Sequence, residues 1–224
     1  MLQQIIEKAL KVAQSAEVYR LTHLSQPVLF EANHLKSIDQ REVSGVALRV
    51  IKDGKIGLSS TTNLEDIQSL IDSALELSHF GPESKFEFPG PQGYSEVKVY
   101  DQNTADLSVE YMINIGQNLI GQVRDLDKDL LCESKVNRNF TTMHLLNSKG
   151  IDVTYTQTAF SLSIEATLIR DTDMLFLWEG NSSCSPIFKT SDLAASLGEK
   201  MQYAKKIVAA PRGDLPVIFT PRGA

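Results

Sequence analysis

Apolar positions in this chain change period repeatedly, and each change marks an element. Leu2, Ile5, Ile6, Ala9, Leu10 and Ala13 recur at helical spacing, with Gln3, Gln4, Glu7, Lys8 and Lys11 between them, which predicts an amphipathic opening helix. The pattern then alternates over Ala16 to Thr22 and again over Val28 to Phe30, predicting two strands. The small polar run Glu31 to His34 reads as a turn before a further strand, Leu35 to Ile38. Val46 to Asn63 is a hairpin. Apolar and β-branched residues dominate Val46 to Ile51, Lys52-Asp53-Gly54-Lys55 interrupts them, and Ile56, Leu58 and Thr61 resume the alternation. Asp53-Gly54 supplies the positive φ that a tight primed turn demands. Thr62 with Glu65, or Asn63 with Asp66, then offers a cap for a second helix that carries Ile67, Leu70, Ile71, Ala74 and Leu75 and ends near His79.

From Phe80 the pattern dissolves. Gly81, Pro82, Pro89, Gly90, Pro91 and Gly93 stand too close together for a regular element, so residues 80–105 read as a connector with one short strand candidate, Val97 to Tyr100. Met112, Ile115, Leu119, Ile120 and Val123 predict a third helix between Asp106 and Asp125. Leu130 to Lys135 and Thr142 to Leu146 are extended, Asn147 to Gly150 is a turn, and Ile151 to Thr156 leads back. Phe160 to Ile169 and Met174 to Trp178 flank Arg170-Asp171-Thr172-Asp173 as another hairpin. A last helix carries Leu193, Leu197, Met201 and Ala204 after the capping candidates Thr190 and Ser191. The second hairpin can be laid on the first without a gap, Asp53 on Asp171 and Asn63 on Asn181. Helices that bracket hairpins predict an α+β fold with antiparallel sheet, built from a duplicated helix, strand hairpins, helix unit over residues 1–79 and 106–207. Two unrelated hairpins of similar turn chemistry are the alternative. Pro211 and Gly213 mark a boundary after a first domain, 1–207, and the apolar run Leu215 to Thr220 starts a new strand, so 208–224 reads as the start of a truncated carboxy-terminal domain.

Composition narrows the function less than the fold. With 224 residues, 42% of them apolar, the chain can bury a substantial core. The net charge of −6 is spread out, and the longest basic run is Lys205-Lys206, which argues against direct nucleic-acid binding. No signal core follows Met1 and no stretch approaches the roughly 20 apolar residues of a membrane helix, so a cytoplasmic location and reduced Cys132 and Cys184 are expected. His23, His34, His79 and His144 are scattered, without metal-ligand spacing. Asp125, Asp127 and Asp129 imitate the opening of a calcium loop, but Leu130 stands where Gly is needed and Val136 where Glu is needed. Cys184 sits in a loop setting without an identifiable base. Ser59 to Thr62 are candidate hydrogen-bond donors to a peptide, or the polar arm of a hairpin, and Trp178 is expected in core or interface. No catalytic or metal-ligating residue is assigned, and substrate-binding residues stay open.

Several stretches together resemble the PmbA/TldD family: Ala16-Glu17-Val18, Gly45-Val46-Ala47-Leu48, Gly57 through Thr61, Asn147-Ser148-Lys149-Gly150 and Leu215 through Phe219. Family members are known as modulators of DNA gyrase and as metalloproteases that work in pairs. The resemblance covers the family's amino-terminal domain and the first residues of its carboxy-terminal one. Gly57-Leu58-Ser59-Ser60-Thr61 and Pro216-Val217-Ile218-Phe219 look like the PmbA (TldE) branch, which lacks the zinc-binding H-E-x-x-x-H helix of TldD-type members. The resemblance therefore implies a non-catalytic domain with no cofactor of its own, pairing with a zinc-bearing TldD-like subunit or with itself and handling unfolded peptides. A stand-alone, non-enzymatic α+β interaction module is the alternative.

Overall fold

The computed structural model describes residues 1–186, 189–206 and 208–220. Their elements run α1 (Leu2–Ala9), β1 (Ser15–Glu31), β2 (His34–Ile38), β3 (Arg41–Lys52), β4 (Lys55–Thr61), α2 (Ile67–Ser78), α3 (Gln102–Ala105), α4 (Val109–Arg124), β5 (Leu131–Asn147), β6 (Asp152–Arg170), β7 (Asp173–Ser183) and α5 (Thr190–Ala204). The strands pair antiparallel in the order β4-β3-β1-β5-β6-β7, with β2 continuing the line of β3 beside β1. The fold is α+β.

Parity along the strands decides where the helices go, because successive side chains point to opposite faces. Val46, Leu48 and Val50 of β3 and Ala16 and Val18 of β1 are buried with Leu2, Ile5 and Ile6 of α1 and Leu70, Ile71 and Ala74 of α2. Val28 and Phe30 of β1, Cys132 and Val136 of β5, and Phe160, Leu162 and Ile164 of β6 are buried with Met112, Leu119 and Val123 of α4 and Leu193 and Leu197 of α5. Every strand residue in these two cores just named is even-numbered, so the four long helices share one face of the sheet. Each fully buried aliphatic or aromatic side chain here is worth roughly 1.5–3 kcal/mol. Two glycines permit the contact: a Cβ at Gly57 would stand 1.9 Å from the Ala74 carbonyl oxygen of α2, and one at Gly116 of α4 would stand 2.3 Å from Phe30 Cε2.

Between the cores the helix face turns polar. Arg138 donates to the Ala105 and Leu107 carbonyls at 2.8 and 2.6 Å and to Gln26, which ties the α3–α4 link to the middle of the sheet. Here the structure departs from the sequence pattern. The two strands expected over Ala16 to Phe30 are one 17-residue strand, and the separate extended pieces expected over Leu130 to Leu146 and Ile151 to Ile169 likewise fuse into β5 and β6. Alternation fades over His23 to Pro27 and Asn137 to Thr141 because neither apolar core lies beneath that stretch.

Other departures are local. Val97 to Tyr100 forms no strand; the Thr158 N–H of β6, past the last β7 pair, donates to the Val99 carbonyl at 3.0 Å and the Asp101 N–H to Thr158 Oγ1 at 2.9 Å. The α2 cap is Asp66, accepting from the Ser69 N–H at 2.9 Å, while Thr61 and Asn63 shape the turn before it. Thr190 lies inside α5, whose N-cap Lys189 makes no side-chain bond. The opening helix stops at Ala9, and Leu215 to Thr220 pairs with no strand. Ala32 and Asn33 both take positive φ in the β1–β2 turn, where Asn33 Oδ1 accepts from the Cys132 N–H at 2.9 Å.

Candidate functional site

The face opposite the helices is the candidate site, because among the described residues no helix packs against it. Its centre lies on odd-numbered residues of β1, β3 and β5 beside the outer arm of β4. Tyr19 pairs with Ala47 and Leu145, Leu21 with Gly45 and Met143, and Ala47 with Ser60. Together Tyr19, Leu21, Val43, Ala47, Ser60 and Thr61 border an open hollow of about 600 Å³. A smaller polar hollow of about 140 Å³ adjoins it, bordered by Ser59, Ser60, Asn63, Asp66, Ser69 and Ser73.

The electrostatics of the larger hollow are neutral. Burial first, and the neighbouring Tyr155 phenol second, hold the Tyr19 hydroxyl above its ordinary pKa, so it stays a hydrogen-bond donor at physiological pH. Thr61 Oγ1 is occupied by the Asn63 N–H at 3.0 Å, whereas among the described residues no hydrogen bond engages the Ser59 or Ser60 hydroxyl. An apolar trough with uncommitted hydroxyls on a sheet face suits an extended polypeptide, whose alternate side chains take apolar contacts while its backbone meets donors.

The structure disperses the other residues that the sequence singles out. His23 Nδ1 meets Thr141 Oγ1 at 2.8 Å, His144 Nε2 meets Asp152 Oδ1 at 2.7 Å, His79 ends α2, and His34 opens β2. Asp125 pairs with Lys128, Asp127 with Arg170 at 3.0 Å, and Asp127 Oδ1 accepts from the Asp129 N–H, so these carboxylates serve the α4 exit and the β6 end. The Cys184 carbonyl accepts from Thr104 and Thr158 hydroxyls at 2.8 and 3.0 Å, and its Sγ contacts the Lys98 carbonyl and Ser185 hydroxyl at 3.9 Å. Cys132 is buried, which pushes its thiol up to about 11 against the pull of Arg124. Trp178 is not core: it stands 58% exposed on the open face. Among the described residues no three His, Cys, Asp or Glu side chains converge, and none of the four histidines is followed by Glu, so the residues present do not fit a zinc site.

Sequence reasoning missed Tyr19, Leu21, Val43 and Ala47 as a surface. Their alternation was legible, but which parity faces the helices is fixed only once all strands are in register.

These features define a class: a curled antiparallel sheet with helices on one side and an open trough on the helix-free side. Residues 16–78 match the family model of the PmbA/TldA metallopeptidase domain 1, and residues 102–189 match that of the PmbA/TldA metallopeptidase central domain. The chain belongs to the PmbA/TldD family. An uncharacterized protein of Methanocaldococcus jannaschii is 26% identical over 190 residues, covering 79% of this chain and 43% of that protein. TldE of Thermococcus kodakarensis has the same fold at a TM-score of 0.80 and 17% identity, over 92% of this chain and 48% of its own. A candidate modulator of DNA gyrase from Bacteroides thetaiotaomicron aligns at 0.79 and 17% identity, over 90% and 48%. The chain thus spans about half the length of these relatives. No helix among the described residues is long and apolar enough to cross a membrane.

Proposed function

We propose that this chain is the non-catalytic amino-terminal part of a PmbA/TldE-like subunit, which pairs with a zinc-bearing TldD-like protease and holds unfolded peptide for it. The observation that carries the reading is the helix-free sheet face with its open trough beside Ser60. A peptide lying there in extended form would set apolar side chains against Tyr19, Leu21 and Val43 and meet the Ser60 hydroxyl with its backbone. Hydrolysis belongs to the partner in this reading, and DNA binding has no place in it. A cytoplasmic location accords with two free thiols.

The test is to mix the chain with a TldD-like subunit and measure complex mass, zinc content and capture of an unfolded apolar peptide. Pairing with zinc contributed by the partner, and peptide capture at least tenfold weaker in the Tyr19→Ala, Ser60→Ala double variant with pairing intact, is the expected result. Stoichiometric zinc in this chain alone, or capture indifferent to both substitutions, overturns the proposal.

A further inference from the structure

Two corners of the sheet are built on one register and finished differently. Ile51 pairs with Ile56 around a turn in which Asp53 has φ 51°, and Ile169 pairs with Met174 around a turn in which Asp171 has φ 51°. At the first corner the chain seals its own edge. The Ile56 N–H donates to the Pro82 carbonyl at 3.0 Å, and the Ser84 N–H donates to the Gly54 carbonyl at 2.7 Å. Phe86 and Phe88 then close on Arg49, their ring centres 5.3 and 5.2 Å from its guanidinium carbon. Phe88 is buried and Ile51 is left 8% exposed.

Among the described residues the second corner has no such cover. Ile169 and Met174 are each 51% exposed and Phe176 is 59% exposed. Among the described residues no backbone hydrogen bond ties the segment after α5 to β7. Beside them, between the β6–β7 turn and the end of α5, is a hollow of about 340 Å³. At the first corner the chain itself fills the corresponding place, with Gly81 so close that a Cβ would lie 1.8 Å from the Ile56 carbonyl oxygen. The turns also differ in charge. Beside Lys52-Asp53-Gly54-Lys55 the connector places Glu83 as the backbone-bridge neighbour of Lys55. In Arg170-Asp171-Thr172-Asp173 the arginine is engaged by Asp127, leaving two carboxylates at the rim.

We propose that Ile169, Met174 and Phe176 form a docking surface for an extended segment of another polypeptide, one with large apolar side chains two residues apart and a Lys or Arg where the connector has Glu83. The segment seats as Pro82 to Phe88 seat on the first corner, with a backbone carbonyl accepting from the Met174 N–H. An exposed strand edge with apolar side chains is what strand addition requires, and of the two cations that border the hollow Arg170 is held by Asp127 while Lys205 sits at the end of α5. This surface lies at the opposite edge of the sheet from the Tyr19 hollow and does not depend on the protease-subunit reading.

The single tryptophan, Trp178, stands two residues from Phe176 on the same face and reports binding. The probe is a synthetic peptide copying residues 80–91 with Glu83→Lys, titrated into the full chain. A saturable blue shift is expected, at least tenfold weaker in affinity for Phe176→Ser and for Met174→Pro, and several-fold weaker for the peptide with its native Glu83. Phe176 is exposed, so its variant retains the fold, checked by circular dichroism. No saturation at millimolar peptide, or a response indifferent to Phe176→Ser, overturns the proposal. Tighter peptide binding after deletion of residues 208–224 would make the chain's own tail the occupant. Concentration-dependent dimers that block the peptide would make it a second copy. Either result also overturns it.

Discussion

Replacing Glu179 with alanine should loosen α5 from β7 without touching the open face. The Glu179 side chain is fully buried on the helix side of β7, accepting from Ser196 Oγ, from Lys200 Nζ at 3.0 Å and from the Gly180 N–H at 3.2 Å. Burial pulls its pKa upward, but the Ser196, Lys200 and Gly180 hydrogen bonds and the Lys200 charge outweigh that pull and leave it below the ordinary value. Removing one partner of a buried pair costs about 3–5 kcal/mol. Lys200 is 43% exposed and already donates to the Trp178 carbonyl, so it can return to water, which puts the loss near the lower bound, about 3 kcal/mol. For a chain of this length that corresponds to a fall in Tm of about 6–12 °C. The sign with pH follows from the lowered pKa. The carboxylate's contribution is complete above its unfolded-state value of 4.5 and is lost as pH falls through the folded value. Urea unfolding followed by circular dichroism should therefore show a wild-type advantage that is flat from about pH 8 to 6 and shrinks below about pH 4.5. Glu179→Gln, which keeps the shape, should fall between the two. An alanine variant within about 1 kcal/mol of wild type at neutral pH, or an advantage that grows in acid, would refute the reasoning.

Three further expectations concern the helix layer and the thiols. Gly57→Ala forces a Cβ against the Ala74 carbonyl and should cost at least about 2 kcal/mol, read by thermal unfolding. Asp66→Ala removes the α2 cap and should cost about 1 kcal/mol, with amide exchange faster in the first turn of α2 than elsewhere. At pH 8 a thiol reagent should label Cys184 in the native protein and Cys132 only on unfolding, since a pKa of about 11 leaves little Cys132 thiolate. Fast native labelling of both would contradict the burial of Cys132.

The turns and helices of this fold were legible because their causes are local. Asp53-Gly54 has the chemistry of a primed turn whatever surrounds it, and the Leu70, Ile71, Ala74 stripe announces a buried helix face. The length of β1, β5 and β6 was not legible, since alternation reveals a strand only where one face is buried. Over Gln26 and Arg138 the helix face carries hydrogen bonds to α3 and its exit in place of a core, and the pattern disappears although the pairing continues from Asn137 to Pro27 without a break. Ser59 to Thr62 were recognisable as polar, but the apolar half of the hollow comes from β1 and β3 residues that the sequence leaves indistinguishable from core. Trp178 shows the same limit: a strand residue can be assigned to an element before it can be assigned to a side.

The long β1–β5 pairing also sets the timetable of folding. Hairpins β3–β4, β5–β6 and β6–β7 join neighbours in sequence and can close early, whereas Leu24 must find Phe140 across more than a hundred intervening residues. Until that meeting, β1 and β5 each present a long bare edge, and each is the natural template for the other in a different molecule as well as in its own. Dilution and slow synthesis favour the internal match, so the join that unites the two cores is also the step at which crowded nascent chains are most exposed to exchanging halves.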